Sequence, residues 1–231
     1  MDSKPGNRKH QSRREKDRGM MYLMLQDFVP ESALGYIVSW FSEYRVHLRI
    51  SKSRTTKYGD YRAPVNGLPP RISVNQNLNR YDFLITLVHE MAHHVVIDDY
   101  QKRNGFILFG RKKYRPKPHG SEWKNSYRHL MVPLMNSEVF PGEILGNLEK
   151  YFNNPKASTG ASHHLAAVLS QFDAPDGKDF IEDLPPDCIF QIPGGRTFQK
   201  KEKLRKRYRC ISLNNKRVYL FSPVARVSRI G

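Results

Sequence analysis

Cysteine is scarce in this chain: Cys188 and Cys210 are the only two among 231 residues. Two thiols cannot build the disulfide framework of a small secreted domain, and they are too few for a zinc ribbon with four thiolate ligands. The two residues also do not form a C-x-x-C pair. The scarcity predicts a reduced protein, and we expect a cytoplasmic one.

Long apolar runs are absent as well. No stretch approaches the roughly 20 apolar residues that are needed to cross a bilayer. The apolar stretch from Met20 to Leu25 ends at Gln26-Asp27, which makes it shorter than the ~7–15-residue core of a signal peptide. We therefore expect no membrane partner.

Acidic residues are few relative to basic ones: 22 Asp and Glu accompany 39 Lys and Arg, and the net charge is +17. Such an excess commonly indicates a polyanionic partner, most often nucleic acid. The alternative is a basic soluble protein without such a partner. Residues 1–19 are basic and almost without apolar side chains, so we expect a disordered tail there.

Apolar periodicity predicts a mixed fold of helices and strands. Leu34, Ile37, Val38 and Phe41 repeat at helical spacing after Pro30. Alternation over residues 46–50, Tyr61 and the apolar positions of 71–74 predict a small antiparallel sheet of about three strands. Helices are then predicted from about 80 to 103, with Asn79 or Asp82 near the start, from about Gly120, and at about 142–152 and 161–171.

The predicted long helix contains the sequence His89-Glu90-Met91-Ala92-His93, an H-E-x-x-H motif. Residues four apart lie one turn above each other on a helix, so His89 and His93 can bind one metal ion from the same side. Glu90 borders that position without lying in line with the imidazoles. A general base for a metal-activated water belongs there.

A catalytic zinc site usually has three protein ligands and keeps one position for water. Helix geometry disfavours Asp98 and Asp99 as the third ligand, because both point more than about 80° away from the two histidines. His94 is better explained as a supporting or core histidine. The third ligand is therefore expected outside the motif helix.

His119 is the best candidate for the third ligand. It precedes the second amphipathic helix, whose Trp123 face should pack near the motif helix. Glu122 is the runner-up, because some H-E-x-x-H enzymes use a glutamate from a following helix. The favoured interpretation of Glu122 is a first-turn acid stabilised by the helix dipole.

Several blocks of sequence together resemble a known family, the SprT-like zinc metallopeptidases. The blocks are Val46-His47-Leu48-Arg49-Ile50, Thr56-Lys57-Tyr58-Gly59-Asp60-Tyr61-Arg62, Ile72-Ser73-Val74-Asn75, the H-E-M-A-H motif, and the H-G-x-E-W of residues 119–123. The resemblance covers about residues 28–135. It implies that His89, His93 and His119 bind one zinc ion (Zn²⁺) and that Glu90 is the base.

The resemblance also implies the fold class, which is α+β. We expect a zincin-like domain in which the small antiparallel sheet packs on the motif helix and further helices, followed by a small basic β-rich segment. The expected division is a basic tail (1–19), the SprT-like domain (20–153), a helix and linker (154–186) and the β-rich segment (187–231). Members of the family often carry a C-terminal zinc ribbon with four cysteines or another DNA-binding element, and this chain departs from the ribbon pattern.

Two basic stretches are candidates for contact with nucleic acid. The loop before His119 contains Arg111, Lys112, Lys113, Arg115 and Lys117. The stretch 196–229 holds twelve Lys and Arg but one acid, Glu202. Basic side chains would hold phosphates, and the interleaved aromatics could stack on bases, although a small aromatic core is favoured for them. An ordinary solvated loop explains residues 111–117 equally well.

Two functions follow from these features. The first is a zinc-dependent metallopeptidase; that its substrates are proteins bound to or crosslinked with nucleic acid is what the resemblance and the basic charge imply. The alternative is a non-proteolytic, transcription-elongation-associated protein that binds nucleic acid and keeps zinc for structure. Glu90 favours the first, since a structural site needs no base. A hydrolase of another class is disfavoured, because nothing marks a phosphate or sugar substrate.

Overall fold

A computed structural model describes residues 5–54, 57–104, 116–156 and 162–230. It contains six α-helices and two β-sheets, of three and six strands, so the mixed α/β class expected from the sequence is confirmed. The chain divides into two compact units, Met1–Thr159 and Gly160–Gly231. The dividing point lies inside the segment 154–186, so the part expected to be a helix and linker belongs mainly to the second unit.

The N-terminal segment differs from the disordered tail expected at 1–19, because helix α1 spans Pro5–Leu25. Its sequence is rich in Arg and Lys, which have high helix propensity, and Pro5 stands at the first helical position, where proline is tolerated. Low hydrophobicity alone predicted disorder, but Leu25 at the end of the helix is fully buried. Helix α2, Glu31–Tyr44, packs against α1 and buries the apolar face predicted from its periodicity.

The sheet of the first unit has strands β1 (His47–Ser51), β2 (Gly59–Arg62) and β3 (Arg71–Asn75) in the order β1-β3-β2. The expectation of a purely antiparallel sheet is wrong: β1 and β3 are parallel, while β2 and β3 are antiparallel. Residues 52–70 form a connection long enough for the crossover that a parallel pair needs. Strand β3, which lies in the centre of the sheet, is the most buried of the three.

Helix α3, Arg80–Asn104, carries the H-E-x-x-H motif and is the most deeply buried helix of the first unit. Asn79 caps its start, as predicted, because its side-chain oxygen accepts hydrogen bonds from the backbone N–H groups of Tyr81 and Asp82. The helix packs against β2, β3 and a second helix, α4 (Ser121–Met131). Contacts on two sides explain why its apolar residues are not confined to one stripe.

Helix α4 is followed by a 3₁₀ turn, Val132–Leu134, and by helix α5, Gly142–Asn153. The guanidinium of Arg128 in α4 donates to the backbone oxygens of Phe152 and Asn153 at 2.7 and 2.8 Å. These oxygens belong to the last turn of α5, where carbonyls have no partner within the helix. Arg128 thereby ties the two helices together.

The second unit contains helix α6 (His163–Ser170), a 3₁₀ turn (Ile181–Asp183) and a six-stranded sheet of order β4-β9-β5-β6-β7-β8. The strands are β4 (Asp179–Phe180), β5 (Ile189–Gln191), β6 (Thr197–Lys203), β7 (Tyr208–Ser212), β8 (Val218–Phe221) and β9 (Arg226–Ile230). From the sequence, residues 189–192, 208–213 and 218–221 are predicted strands, and β5, β7 and β8 confirm them. Strands β4, β6 and β9 were not predicted; four of the seven residues of β6 are charged.

Residues 173–186 are not a linker, because β4 joins the sheet and the 3₁₀ turn contributes to the core. That core consists of buried residues from the turn and the strands: Ile181, Leu184, Phe190, Phe198, Cys210 and Val227. The Asp, Pro and Gly content of this segment is typical of a linker, but the buried side chains of Ile181 and Leu184 pack against the sheet and hold it in place. The small aromatic core favoured for the stretch 196–229 is confirmed for Phe198, which contacts the rings of Phe190, Tyr219 and Phe221.

A lysine lies within this second core. Lys200 of β6 is buried, and its ammonium donates to the backbone oxygens of Glu182, at 3.1 Å, and Leu184. The ring of Tyr208 lies 4.4 Å below the same nitrogen. Burial lowers the pKa of Lys200, and the two carbonyls with the aromatic face replace part of its lost hydration.

None of the described helices combines the length and the apolar character that spanning a bilayer requires.

Candidate metal centre

Three histidines from two parts of the first unit converge on one point. The Nε2 atoms of His89, His93 and His119 lie 3.0–3.2 Å from one another. Zinc binds imidazole nitrogens at about 2.0–2.1 Å, and tetrahedral geometry then places neighbouring ligand atoms about 3.3 Å apart. The three nitrogens can therefore hold one metal ion, and they are the residues that the sequence predicted.

Hydrogen bonding alone cannot satisfy this arrangement. Each Nε2 is either a donor or an acceptor, depending on its protonation. Among three such atoms in mutual contact, at least one pair must then join two donors or two acceptors, which repel each other. A cation at the centre removes the conflict, because all three lone pairs can bind it at once.

The protonation states of the ligands suit a metal. Burial lowers the pKa of His89 to about 2, with further contributions from the neighbouring His93 and His119. Burial and His119 lower the pKa of His93 to about 4, and burial lowers that of His119. Imidazoles that are neutral at physiological pH present the lone pairs that metal ligation requires.

The ring of Trp123 of α4 packs against all three imidazole rings. Its ring centroid lies 4.6 Å from that of His89, 5.5 Å from His93 and 4.7 Å from His119. Its indole nitrogen donates to the backbone oxygen of His89 at 3.3 Å. Trp123 therefore fixes the three imidazole rings, and α4 packs on α3, which carries His89 and His93. This packing was predicted from the Trp123 face.

His119 lies in the turn that precedes α4 and has a left-handed backbone, with φ of 58°. A residue other than glycine in this region is uncommon, and such conformations concentrate at functional sites because the surrounding structure must hold them. A pattern of residue types could not reveal this turn. The left-handed conformation occurs at the one histidine of the cluster that lies outside α3, which supports a functional purpose for this turn.

Glu90 lies beside the histidines and is 7% exposed. Burial raises the pKa of its carboxyl to about 8, and the nearby Asp60 contributes in the same direction. The backbone N–H of Tyr61 donates a hydrogen bond to the carboxylate. A carboxyl group with a pKa near neutrality can both accept and return a proton at physiological pH.

Gly59 of β2 allows the sheet to approach Glu90 closely. A Cβ at this position would lie 2.5 Å from Glu90 Oε1 and 2.8 Å from Thr86 Cγ2, inside van der Waals contact. Gly59 was not among the site residues predicted from the sequence. The available signal was a glycine inside a strand pattern, which often marks a close backbone approach.

His94 does not join the metal cluster, as the sequence predicted. It is 4% exposed and packs edge-on against the rings of Trp40 and Tyr44. Its Nδ1 lies 3.2 Å from the hydroxyl of Tyr61. Because Tyr61 also binds Glu90 through its backbone, His94 and Glu90, one turn apart on α3, contact the same residue of β2.

The acidic alternatives for the third ligand lie elsewhere. Asp98 and Asp99 form ion pairs one turn along α3 with Lys102 and Arg103. Glu122 accepts a hydrogen bond from Ser121 and occupies the first turn of α4, where the helix dipole favours an acid. Among the described residues, the group that could bind a metal contains the three histidines and no carboxylate.

The basic loop predicted to border the site falls largely outside the described residues. Arg111, Lys112, Lys113 and Arg115 belong to the range 105–115, which the structure does not describe. Lys117, two residues before His119, is exposed.

Comparisons of the chain with family models, with curated proteins and with solved structures found no match. The resemblance noted in the sequence therefore stays a prediction, and the assignment of a function rests on the geometry of the site.

Removal of one ligand tests the metal centre. We expect the wild-type protein to bind one equivalent of Zn²⁺ or Co²⁺, and His119→Ala to bind it at least 100-fold more weakly, because one of three ligands is lost. His129→Ala is the matched control, since His129 is an exposed histidine on α4. Isothermal titration with a chelator competitor measures both. Equal affinity in His119→Ala and His129→Ala would contradict the site.

The metal-free protein should lose stability on acidification. The unfolded chain binds protons at its histidines below pH 6.5, whereas folded His93 does so only near pH 4. Stability therefore falls as pH decreases between these values, by at most about 1.4 kcal/mol per pH unit for one imidazole. Urea unfolding in chelator at several pH values should show a shallower slope for His93→Gln than for wild type. Identical slopes would show that His93 is not held neutral.

Proposed function

We propose that the protein is a zinc-dependent metallopeptidase of the H-E-x-x-H type. The observation that carries the proposal is the convergence of His89, His93 and His119 at 3.0–3.2 Å beside the buried carboxyl of Glu90. A purely structural metal site would not need an acid–base group next to its open side. The donor set favours zinc, because three imidazoles suit this ion and leave a fourth position for a reactant.

A zinc ion held by the three imidazoles would supply Lewis acidity, polarising a peptide carbonyl and making water more acidic. Glu90 takes the proton from the attacking water and returns it to the leaving amine. The raised pKa of Glu90 in the metal-free site reflects how poorly solvent stabilises its charge. The N–H of Tyr61 holds the carboxylate in place through both transfers.

Strand β2 offers a place for the substrate. It pairs with β3 on one side, and within the described residues its other edge has no strand partner. A peptide added at that edge would form main-chain hydrogen bonds. Gly59 and Tyr61 place this strand against Glu90, so the added peptide would run past the base. Recognition through backbone groups favours low sequence specificity.

The basic character of the chain supports substrates that are attached to nucleic acid. The turn between β6 and β7 exposes Arg205, Lys206 and Arg207, and Lys203 at the end of β6 is exposed beside it. Such a cluster attracts phosphates. Together with the net charge of +17, it supports a peptidase whose substrates are proteins bound to or crosslinked with nucleic acid.

Replacement of the base tests the catalytic proposal. Glu90→Gln should lower kcat for cleavage of a DNA-bound protein such as a histone by about 10²–10⁴-fold, because proton transfer is lost. Zinc content should not fall, since Glu90 is not a ligand. Glu122→Gln is the control and should keep both zinc and activity. A zinc-loaded wild type that binds DNA but cleaves neither histone nor casein would favour the non-proteolytic alternative.

Gly59→Ala should displace the base without removing it. The new methyl group overlaps Glu90 Oε1, so the carboxylate must move, and kcat should fall at least tenfold. Gly35→Ala, where an added Cβ meets nothing within 4 Å, is the matched control and should be fully active. Zinc affinity should be equal in both variants. Unchanged kcat in Gly59→Ala would show that contact with β2 does not position Glu90.

A further inference from the structure

The outer face of the six-stranded sheet carries a row of side chains that crosses five strands. In register, Ile230 of β9 lies opposite Ile189 of β5, Ile189 opposite Gln199 of β6, Gln199 opposite Ile211 of β7, and Ile211 opposite Val218 of β8. Directly opposed residues share one face of an antiparallel sheet. Four of the five are aliphatic.

This face points away from the core of the second unit. The neighbouring register pairs, Phe190 with Phe198 and Lys200 with Cys210, are the ones that point inwards. Leu220 lies two residues beyond Val218 on β8, on the same face, and widens the apolar surface beside the row. Exposed fractions are 37% for Ile189, 42% for Ile230, 50% for Leu220 and 53% for Val218. The row is therefore a mainly apolar surface open to solvent, with Gln199 as its one polar member.

Basic residues surround this apolar row. Lys201 and Arg209 occupy the same face and form ion pairs with Asp187 and Glu202. The turns at the two ends of the strands add further exposed basic side chains: Arg205, Lys206, Arg207, Lys216 and Arg217. The stretch 196–229 contains twelve basic residues but only one acid. An occupant of this face meets aliphatic side chains in the middle and positive charge at the rim.

That combination selects among possible partners. A second copy of the chain would place two basic rims against each other, which costs free energy. Nucleic acid would be attracted by the rim, but aliphatic side chains do not stack on bases, and the aromatics Phe190 and Phe198 are buried in the core. A protein segment with both apolar and acidic side chains complements the face in each respect.

We propose that this face is a docking surface for an acidic amphipathic helix of a partner protein. Helices cover the faces of sheets, whereas extended segments add at their edges. Five strands spaced about 4.8 Å apart make the row about 19 Å long. A helix rising 1.5 Å per residue spans this distance in about 13 residues. The surface does not depend on the metal centre or on peptidase activity.

A designed peptide tests the surface with the full-length chain. The probe is a fluorescent peptide of about 15 residues with leucines at i, i+3, i+4 and i+7 and glutamates on the other face. A scrambled peptide of the same composition, which has no apolar face, is the first control. Fluorescence anisotropy should show saturable binding of the designed peptide, and binding of the scrambled one at least tenfold weaker.

Variants locate the binding to the row. The double substitution V218S/L220S should weaken binding at least tenfold, because the two aliphatic contacts are lost. The matched control is Leu204→Ser, which changes a leucine of similar exposure, 43%, in the β6–β7 turn outside the row. Gln199→Glu places a negative charge in the middle of the row without removing apolar surface, and it should also weaken binding. Melting temperatures of all variants check that the fold is kept.

Several outcomes would overturn the docking surface. Equal affinity of V218S/L220S and Leu204→Ser for the peptide would remove the row from the interface. Equal binding of designed and scrambled peptides would show attraction by charge alone. A single-stranded oligonucleotide or an anionic phosphatidylserine vesicle that binds wild type more tightly than the peptide does, and loses binding in V218S/L220S, would assign the face to that other partner.

Discussion

The mutual contact of three imidazole nitrogens is the constraint on which the first unit depends. Nitrogens 3.0–3.2 Å apart cannot all form hydrogen bonds with one another, so the arrangement is stable only if other contacts hold it or a cation binds it. Helix α3 is buried between the sheet and α4, which fixes His89 and His93. Trp123 contacts all three rings, and the left-handed backbone of His119 completes the cluster.

Two further side chains of the same helix, Glu90 and His94, contact strand β2. Glu90 and His94 are one turn apart and both contact Tyr61, one through its backbone and the other through its hydroxyl. Gly59 leaves no room for a side chain between β2 and the carboxylate. The contact at Gly59 thus sets the distance between β2 and α3 at the position of Glu90. If the protein acts as proposed, one set of contacts would position both Glu90 and a substrate strand added at the edge of β2.

Sequence patterns predicted those features that depend on short-range spacing. The i, i+4 histidines, the Asn79 cap and the apolar faces of α2 and α4 are properties of single helices, and the structure contains each of them. His119 was predicted because it adjoins a helix that had to pack on α3. The parallel pairing of β1 with β3 could not be predicted, since it depends on the path of residues 52–70. Strand β6 was missed because four of its seven residues are charged, as in a solvated segment, although Lys200 is buried.

In each unit, nitrogen or oxygen lone pairs converge at a poorly solvated position. The two units differ in what can supply the positive charge that stabilises these lone pairs. In the first unit three imidazole nitrogens converge, and a bound ion could supply the positive charge. In the second unit the carbonyls of Glu182 and Leu184 converge on the ammonium of Lys200, which the chain supplies itself. With only Cys188 and Cys210 as thiols, a core cross-linked by four metal thiolates is excluded. Lys200 ties the 3₁₀ turn to the sheet of the second unit, whereas the three imidazoles of the first unit could hold a metal ion.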